Sequence, residues 1–210
     1  MKVLLVNGSP HKNGCTYTAL DIVAQALHME GIETEIFWIG NKPLGGCVGC
    51  GNCRENHRCV FDDAVNEFVK KAKSFDGFVF GSPVHYASMA GSMTGFMDRV
   101  FMSDKAGGHG GLCKKPGAVI TTSRRAGATA TLDQLMKWLS IYEMPIVSSR
   151  YWNEIHGCTP EDVLKDEEGV QIMRVLGKNM AWILKCIEAG KQAGIKVPES
   201  EQGIYTSFIR

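Results

Sequence analysis

Four cysteines carry the densest chemical signal in the chain. Cys47, Cys50 and Cys53 are each separated by two residues, and Cys59 follows after five more. Thiolates spaced this way on a backbone loosened by Gly49 and Gly51 can wrap one face of a cubane iron–sulfur cluster. The run differs from that of ferredoxins, whose fourth cysteine comes after three residues and precedes a proline. A tetrahedral zinc site built from the four thiolates stays open, although zinc ribbons pair their cysteines in two separated knuckles, and so do metal-free thiols. Cys113, Cys158 and Cys186 stand alone, and each reads as a small buried hydrophobe. His57, inside the cysteine stretch, reads as exposed rather than ligating.

A second signal opens the chain. The apolar run Val3-Leu4-Leu5-Val6 leads into Gly8-Ser9-Pro10-His11-Lys12-Asn13-Gly14-Cys15-Thr16, after which apolar residues recur at helical spacing. The first amides of a helix have no intrahelical acceptor and point at whatever the preceding loop holds, so strand, loop and helix start make an anion-binding device. Ser9 and Thr16 add hydroxyl donors and Lys12 adds charge, which is the chemistry of a phosphate site. The competing reading is a helix capped by Asn13 or Ser9 with no ligand.

These loops need a scaffold, and the pattern predicts one. Helical spacing covers 15–30 (Ala19, Ile22, Val23, Ala26, Leu27), ending at Gly31. Strands are expected at Lys2–Asn7, Glu33–Ile39, Phe75–Gly81, Ala118–Thr122 and Pro145–Tyr151. Further helices are expected from Asp62-Asp63 to Lys73, near 92–102, over 131–143 and within 160–191. Strand and helix alternate five times, the mark of a parallel, doubly wound α/β sheet with helices on both faces. In such sheets ligands bind outside the carboxyl ends of the strands. The loops at 8–16, 82–90 and 122–130 all follow strands and should share that edge. The glycine-rich connection 103–116, with Gly107-Gly108-His109-Gly110-Gly111, is expected to be mobile and at the surface.

The totals exclude several classes. The chain has 210 residues, 44% hydrophobic and 21% charged, with a formal net charge of +1. That composition suits one globular domain over 1–210, and no long basic run offers a surface for nucleic acid. No apolar run approaches the roughly 20 residues of a membrane span. Asn7, Gly8 and Pro10 interrupt what would be the core of a signal peptide. A cytoplasmic location is expected, where eight cysteines point to metal or redox work. No Ser-His-Asp set or carboxylate pair stands out, so no catalytic side chain is nominated.

The chain resembles the NAD(P)H-dependent FMN reductase and iron–sulfur flavoprotein group of flavodoxin-like proteins. The resemblance rests on the 8–16 loop, on Gly81-Ser82-Pro83-Val84-His85-Tyr86 with Asp98-Arg99, and on Thr122-Ser123-Arg124-Arg125-Ala126-Gly127. It implies a five-stranded sheet of order 2-1-3-4-5 and an FMN whose phosphate sits in the first loop. Ser9, Lys12, Asn13, Gly14, Cys15 and Thr16 would surround the phosphate. Pro83, Val84, His85, Tyr86, Ser88 and Met89 would line the ring and ribityl chain. Thr122, Ser123, Arg124, Arg125 and Gly127 would meet the other flavin edge. Cys15, His85 and Thr94 depart from the group's commoner Asn or Ser, aromatic residue and Lys.

The physical logic runs parallel. The cofactor brings hydride and electron chemistry while the protein supplies position and charge, and Arg124 or Arg125 could stabilise the reduced pyrimidine edge. Tyr86 offers a flat face for stacking. Cys47, Cys50, Cys53 and Cys59 resemble the compact motif of iron–sulfur flavoproteins, which implies a [4Fe–4S] cluster exchanging electrons with FMN across a subunit boundary. The expected activity is electron transfer from NAD(P)H through FMN to a small acceptor such as a quinone or flavin. The alternatives are a carrier fed by ferredoxin and a scaffold without catalysis. Tyr151 to Gly157 could wall the substrate pocket through Trp152, Asn153 or His156, or pack under the last helix. The apolar face from Ile172 to Ile187 is wide enough to cover the sheet and reach a partner subunit, and the resemblance implies a homodimer or homotetramer.

Overall fold

The computed structural model describes residues 1–108, 110–201 and 203–208. Val3, Leu4, Leu5 and Val6 have no solvent exposure, because their strand, β1 (Lys2–Asn7), lies inside the sheet, flanked on both sides, with helices over both faces. Around it stand β2 (Glu33–Trp38), β3 (Gly77–His85), β5 (Gly117–Ser123) and β6 (Glu154–His156), while β4 (Ser88–Met89) pairs only with β3. The order is β2-β1-β3-β5-β6, and every ladder is parallel except the short β3–β4 pair. With β4 set aside, this is the expected 2-1-3-4-5 arrangement.

The period-2 alternation of the strands divides the core in two. Val3, Leu5, Val79, Ala118 and Ile120 face α1 (Cys15–Met29) and α7 (Glu167–Gln192). Leu4, Val6, Phe78, Phe80 and Val119 face α3 (Ala64–Ala72), α4 (Gly91–Ala106) and α5 (Ala128–Ile141). The second layer is aromatic: Phe68 meets Phe96 edge-on at 5.2 Å and Phe37 at 5.6 Å. Each such buried ring stabilises the fold by about 1.5–3 kcal/mol. Two short helices complete the chain, α2 (Asn52–Asn56) in the cysteine stretch and α6 (Pro160–Lys165) before α7. Among the described residues, no helix is long and apolar enough to cross a membrane.

The fifth parallel strand differs from expectation. Pro145 to Val147 makes only a bridge to Gly117, with Gly117 N donating to Pro145 O and Val147 N to Gly117 O. The chain then swings out and rejoins at Glu154–His156, because buried Asn153 donates through Nδ2 to Val119 O at 3.0 Å and accepts Thr121 N through its own carbonyl. The stretch 151–157, considered above as a pocket wall, therefore includes the edge strand itself.

The glycine-rich connection is more anchored than its composition suggests. Asp104, fully buried, accepts Gly111 N at 3.0 Å, Leu112 N at 3.4 Å and the Tyr142 hydroxyl at 2.6 Å. Burial first, and that bond second, push the Tyr142 phenol far above its ordinary range. Leu112 is completely buried. His109 lies outside the described residues.

Candidate functional site

Three loops gather at the carboxyl edge of the sheet. In the first, buried Asn7 at the end of β1 accepts Ser9 N through Oδ1 at 3.0 Å and donates through Nδ2 to Lys12 O at 3.0 Å. Ser9 Oγ accepts His11 N at 3.1 Å, and Trp38 Nε1 donates to Ser9 O at 2.8 Å. Lys12 Nζ sits 5.9 Å from the centre of the Trp38 ring. The helix start is Gly14, in extended conformation, with no side-chain cap and no acidic residue in the first turn of α1. Capping by Asn13 or Ser9 is thus not realised, and the positive end of the helix is free to face an anion. Cys15 turns its thiol towards Gly157 O at 3.7 Å, and burial pushes that thiol up.

The second loop is a hairpin rather than the irregular segment expected. Strand β3 runs through Ser82, Pro83, Val84 and His85, turns at Tyr86 and Ala87, and pairs back through Ser88 and Met89. Tyr86 and Ala87 have φ of +52° and +56°, the left-handed pair that a two-residue hairpin uses. For residues other than glycine this costs roughly 1–2 kcal/mol each. Tyr86 stands fully exposed at the tip. Ser88 Oγ and Met89 N both donate to Gln134 Oε1, at 2.7 and 3.3 Å, so α5 holds the returning strand. Ser82 Oγ accepts Ala90 N at 3.1 Å.

The third loop follows β5. Thr122 and Ser123 are buried, Arg124 and Arg125 are exposed, and Gly127 starts α5 at φ +89°. Ser123 Oγ is shielded from solvent and has no hydrogen-bond partner among the described residues. A buried hydroxyl left unpaired costs about 1–3 kcal/mol, and Thr121 Oγ1 and Asn153 Oδ1 are shielded and unpaired as well.

Direct contacts join the three. Gly8 N donates to Gly81 O at 2.9 Å, and a Cβ on Gly8 would lie 2.6 Å from Met93 Sδ and 2.8 Å from Gly81 O. Thr16 and Thr122 share a hydroxyl hydrogen bond of 2.8 Å. A Cβ on Gly127 would lie 2.7 Å from Ala87 Cα and 3.0 Å from Val84 Cγ1. Only bare backbone fits where the hairpin meets the third loop.

The four cysteines line one cavity of about 150 Å³ beside α4, with Arg99, Met102 and Ser103 on its wall. Cys47 and Cys50 are exposed and Cys53 and Cys59 half-buried, and all eight cysteines are free thiols. Among the described residues, no three Cys, His, Asp or Glu side chains are gathered closely enough to hold a metal ion. The donor set suits an iron–sulfur cluster in chemistry and number, on a loop that is open in this arrangement. The stretch is tied at both ends. Cys47 N donates to the Asp98 carboxylate, whose pKa burial raises. Asn66 brackets Cys59, accepting its N–H at 2.9 Å and donating to its carbonyl at 3.1 Å. Arg99 Nε donates to Cys59 Sγ at 3.2 Å. His57 is exposed, with its ring 2.8 Å from Gly107 O. Cys186, on α7, and Cys158, in the connection after β6, are exposed, and Cys113 is partly buried where the 107–116 connection packs on the core, so none is the fully buried hydrophobe expected.

Sequence reasoning missed Asn7, Asn66, Gln134 and Ser103. For Asn7 a signal existed, a polar residue closing a fully apolar strand. Arg99 carried one too, as a charge on the apolar face that Phe96 and Val100 define. Gln134 and Asn66 have none, since each acts through a contact distant in sequence.

Residues 1–157 match the NADPH-dependent FMN reductase family. Over 200 residues the chain is 31% identical to an iron–sulfur flavoprotein of Methanocaldococcus jannaschii, covering 90% of this chain and 100% of that one. RosB, solved with 8-demethyl-8-formylriboflavin-5′-phosphate, superposes with a TM-score of 0.71 at 15% identity, over 100% of this chain and 92% of RosB. A flavodoxin from the Archaea superposes with a TM-score of 0.59 at 13% identity, over 88% of this chain and 99% of its own. At those identities the structural likeness establishes the flavodoxin-like fold.

Proposed function

Because this chain belongs to the NADPH-dependent FMN reductase family, whose members are flavin-dependent oxidoreductases, we propose that it holds FMN across the three loops and passes electrons from NAD(P)H to a small acceptor. The observation that carries this is the convergence of an uncapped α1 with the orphaned Ser123 hydroxyl on one sheet edge. Bound FMN supplies hydride acceptance and electron release. Ser9, Asn13, Gly14 and Thr16 hold the phosphate, with Lys12 screening its charge and Cys15 packing behind. Pro83, Val84, His85, Tyr86, Ser88 and Met89 position the ring and ribityl chain. Ser123 donates to the flavin edge opposite, beside Thr122 and Gly127. Arg124 and Arg125, exposed to solvent, fold over the pyrimidine side and stabilise negative charge there. The acceptor, a quinone or a flavin, enters above Tyr86.

A second reading has its own observation, the cavity shared by Cys47, Cys50, Cys53 and Cys59. In it those thiolates hold a [4Fe–4S] cluster and the chain works as an electron carrier supplied by ferredoxin. The likeness to the Methanocaldococcus jannaschii iron–sulfur flavoprotein supports it. Both readings place one folded unit over 1–210 in a reducing cytoplasm, as a homodimer or homotetramer without nucleic-acid or membrane partners. Anaerobic mixing with NADH or NADPH tests the first reading, which expects the flavin absorbance to bleach and fails when neither donor bleaches it. Iron and sulfide analysis of anaerobically purified protein tests the second, which fails on an iron-free protein.

A further inference from the structure

Helix α4 presents Arg99, Met102 and Ser103, spaced by three and four residues, to the cysteine cavity. Two of these are chemically unusual for the wall of a thiol pocket. Arg99 is 3% exposed, and its guanidinium makes four hydrogen bonds. Nη1 and Nη2 grip Asp63 at 2.7 and 2.9 Å, Nη2 also reaches Phe61 O at 3.3 Å, and Nε donates to Cys59 Sγ at 3.2 Å. Ser103 is 2% exposed, and its hydroxyl has no partner among the described residues. A buried, unpaired donor and a buried cation therefore stand on the wall of the cavity that the four cysteines line, the cation in contact with Cys59.

We propose that Arg99 and Ser103 are positioning residues that set the reduction potential of the cysteine site, Arg99 through its Nε–H to Cys59 and Ser103 by donating its hydroxyl to a sulfur of the occupied cavity. This rests on the cluster reading given above. On the cluster reading, an electron passed from the flavin to the iron of a cluster held by the four thiolates would make and break no bond. It adds one negative charge to the cavity and removes one from the flavin. Donors aimed at sulfur stabilise the more negative state, so both residues raise the potential. The bidentate Asp63 pair fixes the guanidinium plane, leaving Nε as the one edge turned to Cys59. Lysine at this position would keep the charge and the Asp63 pair without the fork. The same ion pair ties the loop to the N-cap of α3, because Asp63 also accepts Val65 N at 3.1 Å.

The test is a spectroelectrochemical titration of anaerobically reconstituted full-length protein, comparing wild type with Ser103→Ala and Arg99→Lys, after iron, sulfide and FMN content are measured. Ser103→Ala removes a hydroxyl that has no partner in the cluster-free protein, so it is expected to fold like wild type, and its potential is read at matched iron content. Its one-electron reduction constant is expected to fall about tenfold, which is 59 mV. Arg99→Lys is expected to shift in the same direction and to retain less iron at equal FMN content. Loaded variants with wild-type potentials overturn the proposal alone. Wild type that takes up FMN but no iron overturns the cluster reading and the proposal with it.

Discussion

Ser123→Ala separates a ligand site from a packing accident, because loss of the hydroxyl weakens FMN binding only if the flavin uses it. In the structure the Ser123 hydroxyl is buried without a partner among the described residues. Removing it from the FMN-free protein relieves an unsatisfied group and leaves a side chain of nearly the same volume. The apo protein is expected to gain up to about 1 kcal/mol, the low end of the unpaired-polar penalty. For a chain of this size that raises Tm by about 2–4 °C. In the proposed FMN complex the same hydroxyl would donate to the flavin, so its loss is expected to cost about 0.5–1.5 kcal/mol of binding, roughly a two- to twelvefold weaker Kd. The assay pairs thermal unfolding of the apo protein with FMN titration followed by quenching of flavin fluorescence. An alanine variant with unchanged FMN affinity would refute the assignment of this loop to the flavin, whatever its Tm.

Four further outcomes follow from the same geometry. Gly127→Ala forces a Cβ to 2.7 Å from Ala87 Cα at φ +89°, so it should cost at least the roughly 1–2 kcal/mol of left-handed strain and weaken FMN more than tenfold, measured by denaturant unfolding and titration. Ala87→Gly relieves the positive φ at the hairpin turn, and after the added unfolded-state entropy should stabilise by up to about 1 kcal/mol; an unchanged or lower denaturation midpoint contradicts the strain. Tyr142→Phe removes the 2.6 Å donor to buried Asp104 and should destabilise by about 1–3 kcal/mol in urea unfolding. Burial raises the Cys15 thiol pKa, so less thiolate exists at a given pH. Its alkylation, followed by peptide mass spectrometry, should keep rising beyond pH 9 and slow when FMN is added, whereas a rate already level at pH 8 contradicts the burial.

Much of the scaffold is legible because the chemistry is local. A run such as Val3 to Val6 reads as a strand covered on both faces, and Gly31 after a helical pattern reads as its end. The alternation of such runs then fixes a doubly wound sheet and sends three polar loops to one edge. The fifth strand falls several residues from its expected place because Pro145 to Tyr151 is apolar enough to be a strand. What defeats it is a long-range bond, Asn153 to the carbonyl of Val119. The hairpin at Tyr86 is hidden for another reason. Two-residue turns are announced by glycine or asparagine, and this one places Tyr and Ala in the left-handed region, held by Gln134 and by the bare backbone of Gly127. In the candidate site, motif residues are readable, while the supports Asn7, Asn66 and Gln134 become visible only in three dimensions.

We propose above that the three-loop edge holds a flavin which takes electrons from a reduced nicotinamide. Anaerobic addition of NADH or NADPH to the FMN-loaded protein, followed by absorbance in a stopped-flow instrument, measures it most directly. FMN is expected to bind one per chain and to bleach within the mixing experiment with at least one of the two donors. A protein that takes up no FMN, or whose bound flavin keeps its oxidised spectrum with both donors, contradicts it.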